Sequence, residues 1–371
     1  MGTLSMTRWR FAPLVAAAAG CAHPAVLGPT ATPAATANVP AAATPTVDQR
    51  IAYYAGRVEQ HPRLYPVWAQ LAEAYFDKAK ETWNPSWLAN AHDAVAHSRA
   101  IQDTYHALEI EAQIAAYTHQ FTDALTWAHM AEAAATYPPD THMRAIEVEA
   151  LVGLGEIDEA RQLVPEGAKI DDFFVVASLA KIANEDQRFD QAASYYLVAA
   201  RLAHQLQAAP LVAWAEAMAG GMYVDAKDYA AALPHLDAAR QAGGCAEETI
   251  HRGELLAATG KQRAALVLYE QVLSRHPDPH LHHVAFKVAK QLGDEVIAQK
   301  HYQAAEQIYR SVIDKHQIYT LNALAQLLLD GNGNAQEALA LAHQNIAYKR
   351  DRQARVTLDE AERRAAGAAR P

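Results

Sequence analysis

The residues with the clearest potential for chemistry are the histidines, of which the chain has 18. Four of them lie close together in the segment HPDPHLHH: His276, His280, His282 and His283. Imidazole groups spaced three or four residues apart on one rigid helix can converge on a zinc ion. Pro277 and Pro279 interrupt the first half of this segment, and proline does not continue a helix. We interpret the segment as a polar turn between helices, with a metal site near residues 276–283 as the alternative.

The two cysteines stand in unlike settings, so a disulfide between them is not expected. Cys245 follows Gly243 and Gly244, and no neighbouring histidine or basic pair would activate its thiol. We expect it to be an inert small residue. Cys21 directly follows an apolar run, a position that a core residue would not occupy.

Short motifs typical of common enzymes are missing from the sequence, which contains no HExxH, no pair of CxxC motifs, no GxSxG and no GxxxxGK[ST]. The segment GNGN at residues 331–334 lacks the preceding strand that a phosphate-binding loop requires. We therefore predict that the protein is not an enzyme, binds no metal or other cofactor, and has no small-molecule substrate.

Residues 1–20 have the composition of an export signal. Arg8 and Arg10 are the only charged residues before the apolar run FAPLVAAAAG. The segment AAGC at residues 18–21 resembles the lipobox of bacterial lipoproteins, which implies that Cys21 is lipidated and becomes the new N-terminus. Ala18 stands where that family usually has leucine, which leaves ordinary cleavage after residues 17–19 open. Because Ala22 rather than aspartate follows Cys21, the resemblance implies sorting to the outer membrane, facing the periplasm. A soluble periplasmic or secreted protein is the alternative.

Composition separates the remaining chain into a tether and a folded body. Residues 21–46 are rich in proline, alanine and threonine and have no periodic apolar face, so we predict a tether that follows the lipidated cysteine. Over the whole chain 51% of residues are hydrophobic and 20% are charged, which is typical of a packed protein. The formal net charge of −10, without a long Lys/Arg block, argues against nucleic acid as a partner.

From residue 47 onward, apolar residues recur at intervals of three and four residues, which predicts an all-α protein. Small residues also recur at a longer interval, at the following positions: Ala94, Ala124, Ala160, Ala192, Ala232, Ala265, Ala305 and Ala338. Their spacings are 30, 36, 32, 40, 33, 40 and 33 residues, with a mean of about 35. Twelve residues before five of these alanines stand further small residues: Ala112, Ala180, Gly220, Gly253 and Gly293. Two helices approach closely where a side chain is nearly absent, so we expect contacts between helices there.

The first unit contains WAQLAEAY, with Trp68, Leu71, Ala72 and Tyr75. This segment and the recurring alanines resemble the tetratricopeptide repeat (TPR) family over about residues 62–346. The resemblance implies a right-handed superhelix, an α-solenoid of about eight helical hairpins, in which the first helix of each hairpin lines a concave groove. We assign residues 47–348 to this solenoid. Residues 349–371 form a charged C-terminal capping helix and tail.

The resemblance also places certain side chains of the first helices in the groove. The predicted groove residues are Glu73, Asp77, Glu109, Gln113, Tyr117, Glu149, Lys181, Asn184, Trp214, Glu254, Lys287 and Lys290. The N-terminal half of this set is acidic and would favour a basic segment, whereas the C-terminal half is mixed. The alternative is that these residues are only solvated helix faces, and that Trp214 packs between hairpins.

Such a groove usually holds an extended segment or a helix of another protein. We therefore expect an exported, lipid-anchored scaffold that binds a protein or peptide partner in the bacterial cell envelope and contacts the membrane through its lipid only. A soluble periplasmic assembly factor or chaperone is the alternative, and an enzyme with a metal site near residues 276–283 is the third hypothesis.

Overall fold

The computed structural model describes residues 45–82, 84–136, 141–274, 277–313, 320–331 and 333–368. Within these ranges the regular structure consists of eighteen helices and includes no strand. The first nine helices are α1 Val47–Gln60, α2 Tyr65–Thr82, α3 Pro85–Ile101, α4 Tyr105–Tyr117, α5 Phe121–Ala134, α6 Thr141–Leu154, α7 Ile157–Leu163, α8 Phe173–Glu185 and α9 Phe189–Gln205. The remaining nine are α10 Ala209–Ala226, α11 Tyr229–Gln241, α12 Ala246–Ala258, α13 Gln262–Leu273, α14 Pro279–Leu292, α15 Glu295–Ile313, α16 Leu321–Asp330, α17 Ala335–Ile346 and α18 Arg352–Ala368.

Helices α2 to α17 form eight hairpins that stack in chain order. In each hairpin the first helix packs against the second, and the second helix packs against the first helix of the next hairpin. The short helix α7 makes only a small contact with α8. First helices also contact one another between hairpins, as α2 does with α4 and α4 with α6. Helices α8 and α10 meet through the rings of Phe173 and Trp214, whose centroids are 5.9 Å apart. The predicted all-α solenoid of about eight hairpins is confirmed.

A repeated turn joins the two helices in six successive hairpins. Each turn contains one residue with φ between 58° and 80°: His119, Gly155, Gln187, Lys227, Gly260 and Gly293. The next residue donates its backbone N–H to a carbonyl near the end of the first helix, for example Gln120 to Ala115 at 2.8 Å and Glu156 to Leu151 at 2.8 Å. This geometry satisfies carbonyls that the end of a helix leaves without an intrahelical partner.

The recurring alanines lie on the second helices, at the contact between the paired helices. All eight are at most 2% exposed. Some of the small residues on the first helices face large side chains across the same contact. A Cβ atom at Gly253 would overlap the ring of Tyr269, and one at Gly220 would lie 2.8 Å from Leu236. The small residues therefore set how closely the paired helices approach.

Gly293 differs from this expectation. A Cβ atom there would meet nothing within 4 Å, so no neighbouring helix approaches it closely. Its φ of 78° places it in the left-handed region, where it forms the C-cap of α14. Gly293 thus lies twelve residues before Ala305, as the other small residues do before their alanines, but it ends α14 and does not face a neighbouring helix.

The described helices differ in length and polarity, and none of them has both the length and the apolar character that crossing a membrane requires. The largest buried side chains, Trp214, Tyr196 and Tyr269, belong to the contacts between helices. The core is thus a series of layers between hairpins rather than one central cluster.

Candidate partner-binding groove

The first helices of the N-terminal hairpins bring predicted groove residues into one continuous row. His106 on α4 contacts Glu73 on α2 at 3.8 Å and Glu109 on its own helix at 3.5 Å. His142 on α6 contacts Glu109 at 2.8 Å. Glu73 and Glu109 are only partly exposed. Three successive hairpins therefore contribute to the same polar face, which we call the inner face.

The carboxylate of Glu109 is held in its charged form. Burial alone would raise its pKa, but hydrogen bonds with His106 and His142 outweigh this effect and lower the pKa to about 2. Burial would likewise lower the pKa of His106, yet its contacts with Glu109 and Glu73 raise it instead. The raised pKa of His106 favours its charged form, which offsets part of the negative charge that the sequence predicts for this half of the inner face.

Two further predicted acidic residues are buried in ion pairs. Asp77 on α2 is bound by Arg50 of α1 at 2.5 Å and by Lys80 at 2.6 Å. Glu149 on α6 pairs with Lys181 on α8, and both side chains are 4% exposed. The pairs of Asp77 with Arg50 and of Glu149 with Lys181 join neighbouring helices, and all of these pairs leave little charged surface for a partner.

The other predicted residues of the N-terminal half are also largely covered. Gln113 and Asn184 are buried, at 7% and 1% exposure. Tyr117 is partly buried and packs edge to face on Phe76, with ring centroids 5.5 Å apart. Helix position from the sequence identifies these residues as neighbours, but neighbouring hairpins cover several of them.

Trp214 lies inside the protein, at 1% exposure. Its ring meets Tyr196 edge to face at 5.5 Å and Phe173 at 5.9 Å. These contacts span α8, α9 and α10, so the residue packs between hairpins, the alternative that the sequence left open. In this structure it offers no surface to a partner.

The predicted residues of the C-terminal half are more accessible. Glu254 is partly exposed and contacts His251 at 3.1 Å. Lys287 on α14 contacts Asp330 on α16 at 3.5 Å, which continues the row between successive first helices. Lys290 is exposed and pairs with Glu295 of its own hairpin at 3.3 Å.

A segment that precedes and begins α18 returns to the middle of the row. The backbone N–H of Arg350 donates to the carbonyl of Gly153 at 2.6 Å, and its Nε–H donates to the carbonyl of Leu154 at 3.0 Å. The backbone N–H of Arg352 donates to the carboxylate of Glu185 at the end of α8. The inner face at α6 and α8 is therefore already in contact with another part of the chain.

Four charged residues meet where this segment crosses the inner face. Glu149, Lys181, Lys349 and Asp351 line one narrow pocket, together with Gly153 and its neighbours. All four are at most 7% exposed. Two of the four are predicted groove residues, whereas Lys349 and Asp351 come from the returning segment.

Sequence reasoning missed Glu156, Glu185 and the basic residues that face them. Arg350 lies 3.6 Å from Glu156, and Arg355 lies 3.7 Å from Glu185. Burial and the nearby Asp351 raise the pKa of Glu185, against the hydrogen bond from Arg352. The available signal was the basic run KRDRQAR at residues 349–355 in an acidic protein. Its charge pattern indicates a segment that can bind an acidic surface.

The sequence predicted a polar turn for the histidine segment, but residues 279–283 form the first turn of α14, because the side chain of Asp278 caps the helix and Pro279 is tolerated at its first position. Asp278 caps α14 by accepting the N–H groups of His280 and Leu281. His282 lies 2.9 Å from His301 on α15, and His283 lies 2.9 Å from Asp330. His276 lies outside the described residues. Among the described ones, no group of three or more His, Cys, Asp or Glu side chains is arranged to hold a metal ion.

Of the two cysteines, Cys21 lies outside the described residues, as do the predicted signal and nearly all of the tether. Cys245 is partly buried at the start of α12, where its Sγ lies 3.7 Å from the carbonyl oxygen of Ala213. This contact crosses from α12 to α10 and gives the residue a packing role between hairpins.

No protein-family model matches the sequence, and no curated protein matches it. Several solved structures are similar. A tetratricopeptide repeat protein from Parabacteroides merdae matches at 12% identity over 70% of this chain and 98% of its own, with a TM-score of 0.40. The APC/C hetero-tetramer Cut9-Hcn1 matches at 13% identity over 85% of this chain and 73% of that chain, with a TM-score of 0.32. The P58(IPK) TPR domain matches at 14% identity over 88% and 95%, with a TM-score of 0.24.

Proposed function

We propose that this protein is an exported scaffold, anchored by a lipid on Cys21, that binds a protein partner through the inner face of its solenoid in the bacterial cell envelope. The observation that carries the binding role is the row of polar side chains across successive first helices, from Glu73 through His106 and Glu109 to His142. A stack of hairpins buries each helix against its neighbours, so one face stays available outside the stretch at α6 and α8 that residues 349–352 cover.

The partner we propose is a protein segment rather than a small molecule. The polar groups of the row are spread over several helices, and they alternate between acidic residues and histidines. An extended peptide or a helix can contact such a row at several points, whereas a small ligand needs one concave pocket with convergent groups. We accordingly propose a role in binding without catalysis.

The binding role is tested by chemical cross-linking in cell envelopes, with the full chain as bait. A variant with Glu73→Gln and Glu109→Gln removes two charges from the inner face, and circular dichroism verifies that it is folded. Glu159→Gln on the second helix α7 removes one exposed charge elsewhere and is the control. We expect the double variant to lose partners that the wild type and the control retain. Capture of the same partners by all three proteins would refute the inner-face assignment.

The anchor is proposed from the sequence alone, from residues 18–21 and the proline-rich tether that follows. One acyl chain gives marginal membrane binding, so stable attachment needs the several chains of a lipoprotein. Metabolic labelling with a fatty acid tests this proposal, with Cys21→Ser as the control. An unlabelled native protein that fractionates with the soluble envelope proteins would favour the alternative, a soluble periplasmic assembly factor or chaperone.

A further inference from the structure

The basic run at residues 349–355, which we call the clasp, occupies part of the inner face. It contains four basic residues and one acidic residue within seven positions of a chain whose net charge is −10. It lies against the end of α6, the turn after it and the end of α8. The clasp therefore has the basic charge expected of a ligand for the acidic half of the groove.

The acidic side of this contact is formed by separate elements of the solenoid. Glu156, in the turn after α6, faces Arg350 at 3.6 Å. Glu185, at the end of α8, accepts the N–H of Arg352 and faces Arg355 at 3.7 Å. Glu185 is 6% exposed, so an ordered donor from the clasp replaces water at its carboxylate.

The turn after α6 is shaped to admit the clasp backbone. Gly155 has φ of 76°, and a Cβ atom there would lie 2.8 Å from the carbonyl oxygen of Arg350. The same approach lets Arg350 donate its backbone N–H to Gly153. Residues 349–351 precede α18, and main-chain hydrogen bonds such as that of Arg350 are one way in which proteins bind extended peptides.

The two arginine ion pairs at the solvent side of the clasp are its weakest contacts. The side chains of Arg350 and Arg355 are 43% and 52% exposed. Ion pairs at such exposure contribute little to stability. Lys349 and Asp351 of the clasp are buried at 7% and 3% exposure, so opening of the clasp exposes these two charges as well as breaking its hydrogen bonds.

We propose that the clasp is a built-in occupant of the inner face at α6 and α8, and that the partner is a protein with a basic segment of the same chemistry, which displaces it. This proposal rests on the proposed binding function and specifies the partner's charge and its landing site. When the clasp leaves, Glu156 and Glu185 become the acceptors for the incoming segment. The closed clasp thus lowers the apparent affinity of the groove for its partner, because a ligand binds only those molecules in which the clasp is open.

The test uses the full chain and, as probe, a fluorescent synthetic peptide of residues 347–357. The clasp variant carries Arg350→Ala and Arg355→Ala, and a second protein adds Glu185→Gln. The matched control is Arg363→Ala on α18, an exposed arginine that pairs with Glu360 of the same helix. Fluorescence anisotropy gives the dissociation constants, and hydrogen exchange at the backbone amides of residues 350 and 352 reports whether the clasp has opened.

We expect the clasp variant to exchange these amides faster and to bind the peptide about tenfold more tightly than the wild type, because the open fraction rises. Adding Glu185→Gln should abolish the gain, and the control should behave as the wild type does. Faster exchange without tighter binding would overturn the proposal, as would unchanged exchange, since the two arginines would then not hold the clasp. A dimer formed by exchange of clasps, seen by size-exclusion chromatography, would show that the occupant is a second copy and not a partner.

This experiment separates the two proposals. If the peptide fails to bind the opened variant while cross-linked partners still depend on Glu73 and Glu109, the displacement proposal is wrong and the binding function stands. If partners do not depend on the inner face at all, the proposed function fails whatever the peptide does.

Discussion

Arg350 and Leu154 are 196 residues apart in the sequence, yet the Nε–H of Arg350 donates a hydrogen bond to the Leu154 carbonyl at 3.0 Å. Most other contacts in the protein join helices that are adjacent or next but one. In a repeat protein stability is a sum of such neighbour contacts. A tie between the segment before α18 and the end of α6 adds a long-range constraint, and it places that segment on the inner face.

The first prediction concerns the contact within the hairpin of α12 and α13. Gly253→Ala adds a methyl group that overlaps the ring of Tyr269. Because the ring is buried and cannot move away freely, we expect a loss of about 1–3 kcal/mol in the free energy of unfolding. Urea denaturation followed by circular dichroism measures this loss.

Gly56→Ala is the control for that substitution. Gly56 lies within α1, and a Cβ atom there meets nothing within 4 Å. Alanine favours a helix over glycine by roughly 0.5–1 kcal/mol, so this variant should be slightly more stable than the wild type. Equal effects of the two substitutions would show that the approach of α12 and α13 does not depend on Gly253.

The second prediction concerns the buried pair of Lys181 and Glu149. Lys181→Met removes the lysine and leaves the Glu149 carboxylate buried without this partner. Breaking a buried ion pair in this way costs about 3–5 kcal/mol. The double variant Lys181→Met with Glu149→Leu removes both charges, and we expect it to recover most of the loss. Thermal unfolding of the single and double variants measures the coupling, and two independent, additive losses would contradict it.

The third prediction concerns acid stability at the contact of α14 and α15. Burial, and then the nearby His301, lower the pKa of His282 to about 4. The unfolded chain therefore takes up a proton below pH 6.5 that the folded protein does not, and stability falls as the pH drops from about 6.5 towards 4. His282→Gln should make the melting temperature less dependent on pH in this range. His204→Gln, at an exposed position on α9, should leave the pH dependence unchanged, and equal slopes for all three proteins would refute the prediction.

The fourth prediction concerns Glu147 on α6, which is 4% exposed. Burial, and then the charge of Glu132, raise its pKa to about 7. Because the folded protein binds the Glu147 proton more tightly than the unfolded chain does, protonation of this carboxyl group stabilises the fold. The stabilisation is present in full below pH 4.5 and is lost as the pH rises through about 7. Glu147→Gln should therefore stabilise the protein at pH 8, by roughly 2 kcal/mol. The gain should shrink towards pH 4.5.

Denaturation of the Glu147 variant at both pH values measures this effect. Glu59→Gln, at an exposed position on α1, is the control and should change stability little at either pH. A Glu147→Gln protein that is less stable than the wild type at pH 8 would show that the carboxylate is stabilised in its buried site.

The spacing of the alanines, with the resemblance that it carries, predicted the fold, because each second helix needs a small residue where it crosses its partner. Ala94, Ala232 and Ala338 lie at that crossing, as predicted. Gly293 shows the limit of this reasoning, since a glycine that ends a helix and a glycine that admits a neighbouring helix look alike in one sequence.

The candidate site was predicted only in part. Position on a first helix indicated that Glu73, Glu109 and Lys287 share a face, and contacts between successive hairpins join each of them to the next helix. The same rule could not tell that Asp77 and Trp214 are covered. Burial depends on how much of each side chain the neighbouring hairpins cover, and the repeat pattern does not contain that information.

The sequence by itself determined the helical hairpins, their number and their order, because the repeat period and the small residues correspond to contacts between helices that follow one another in the chain. Only the tertiary structure decided that residues 349–355 lie on the inner face beside Gly153 and Glu185. That contact depends on the accumulated rotation from hairpin to hairpin. Small differences in each repeat add up along the stack, so the meeting of two distant segments follows from the whole solenoid and not from any local pattern.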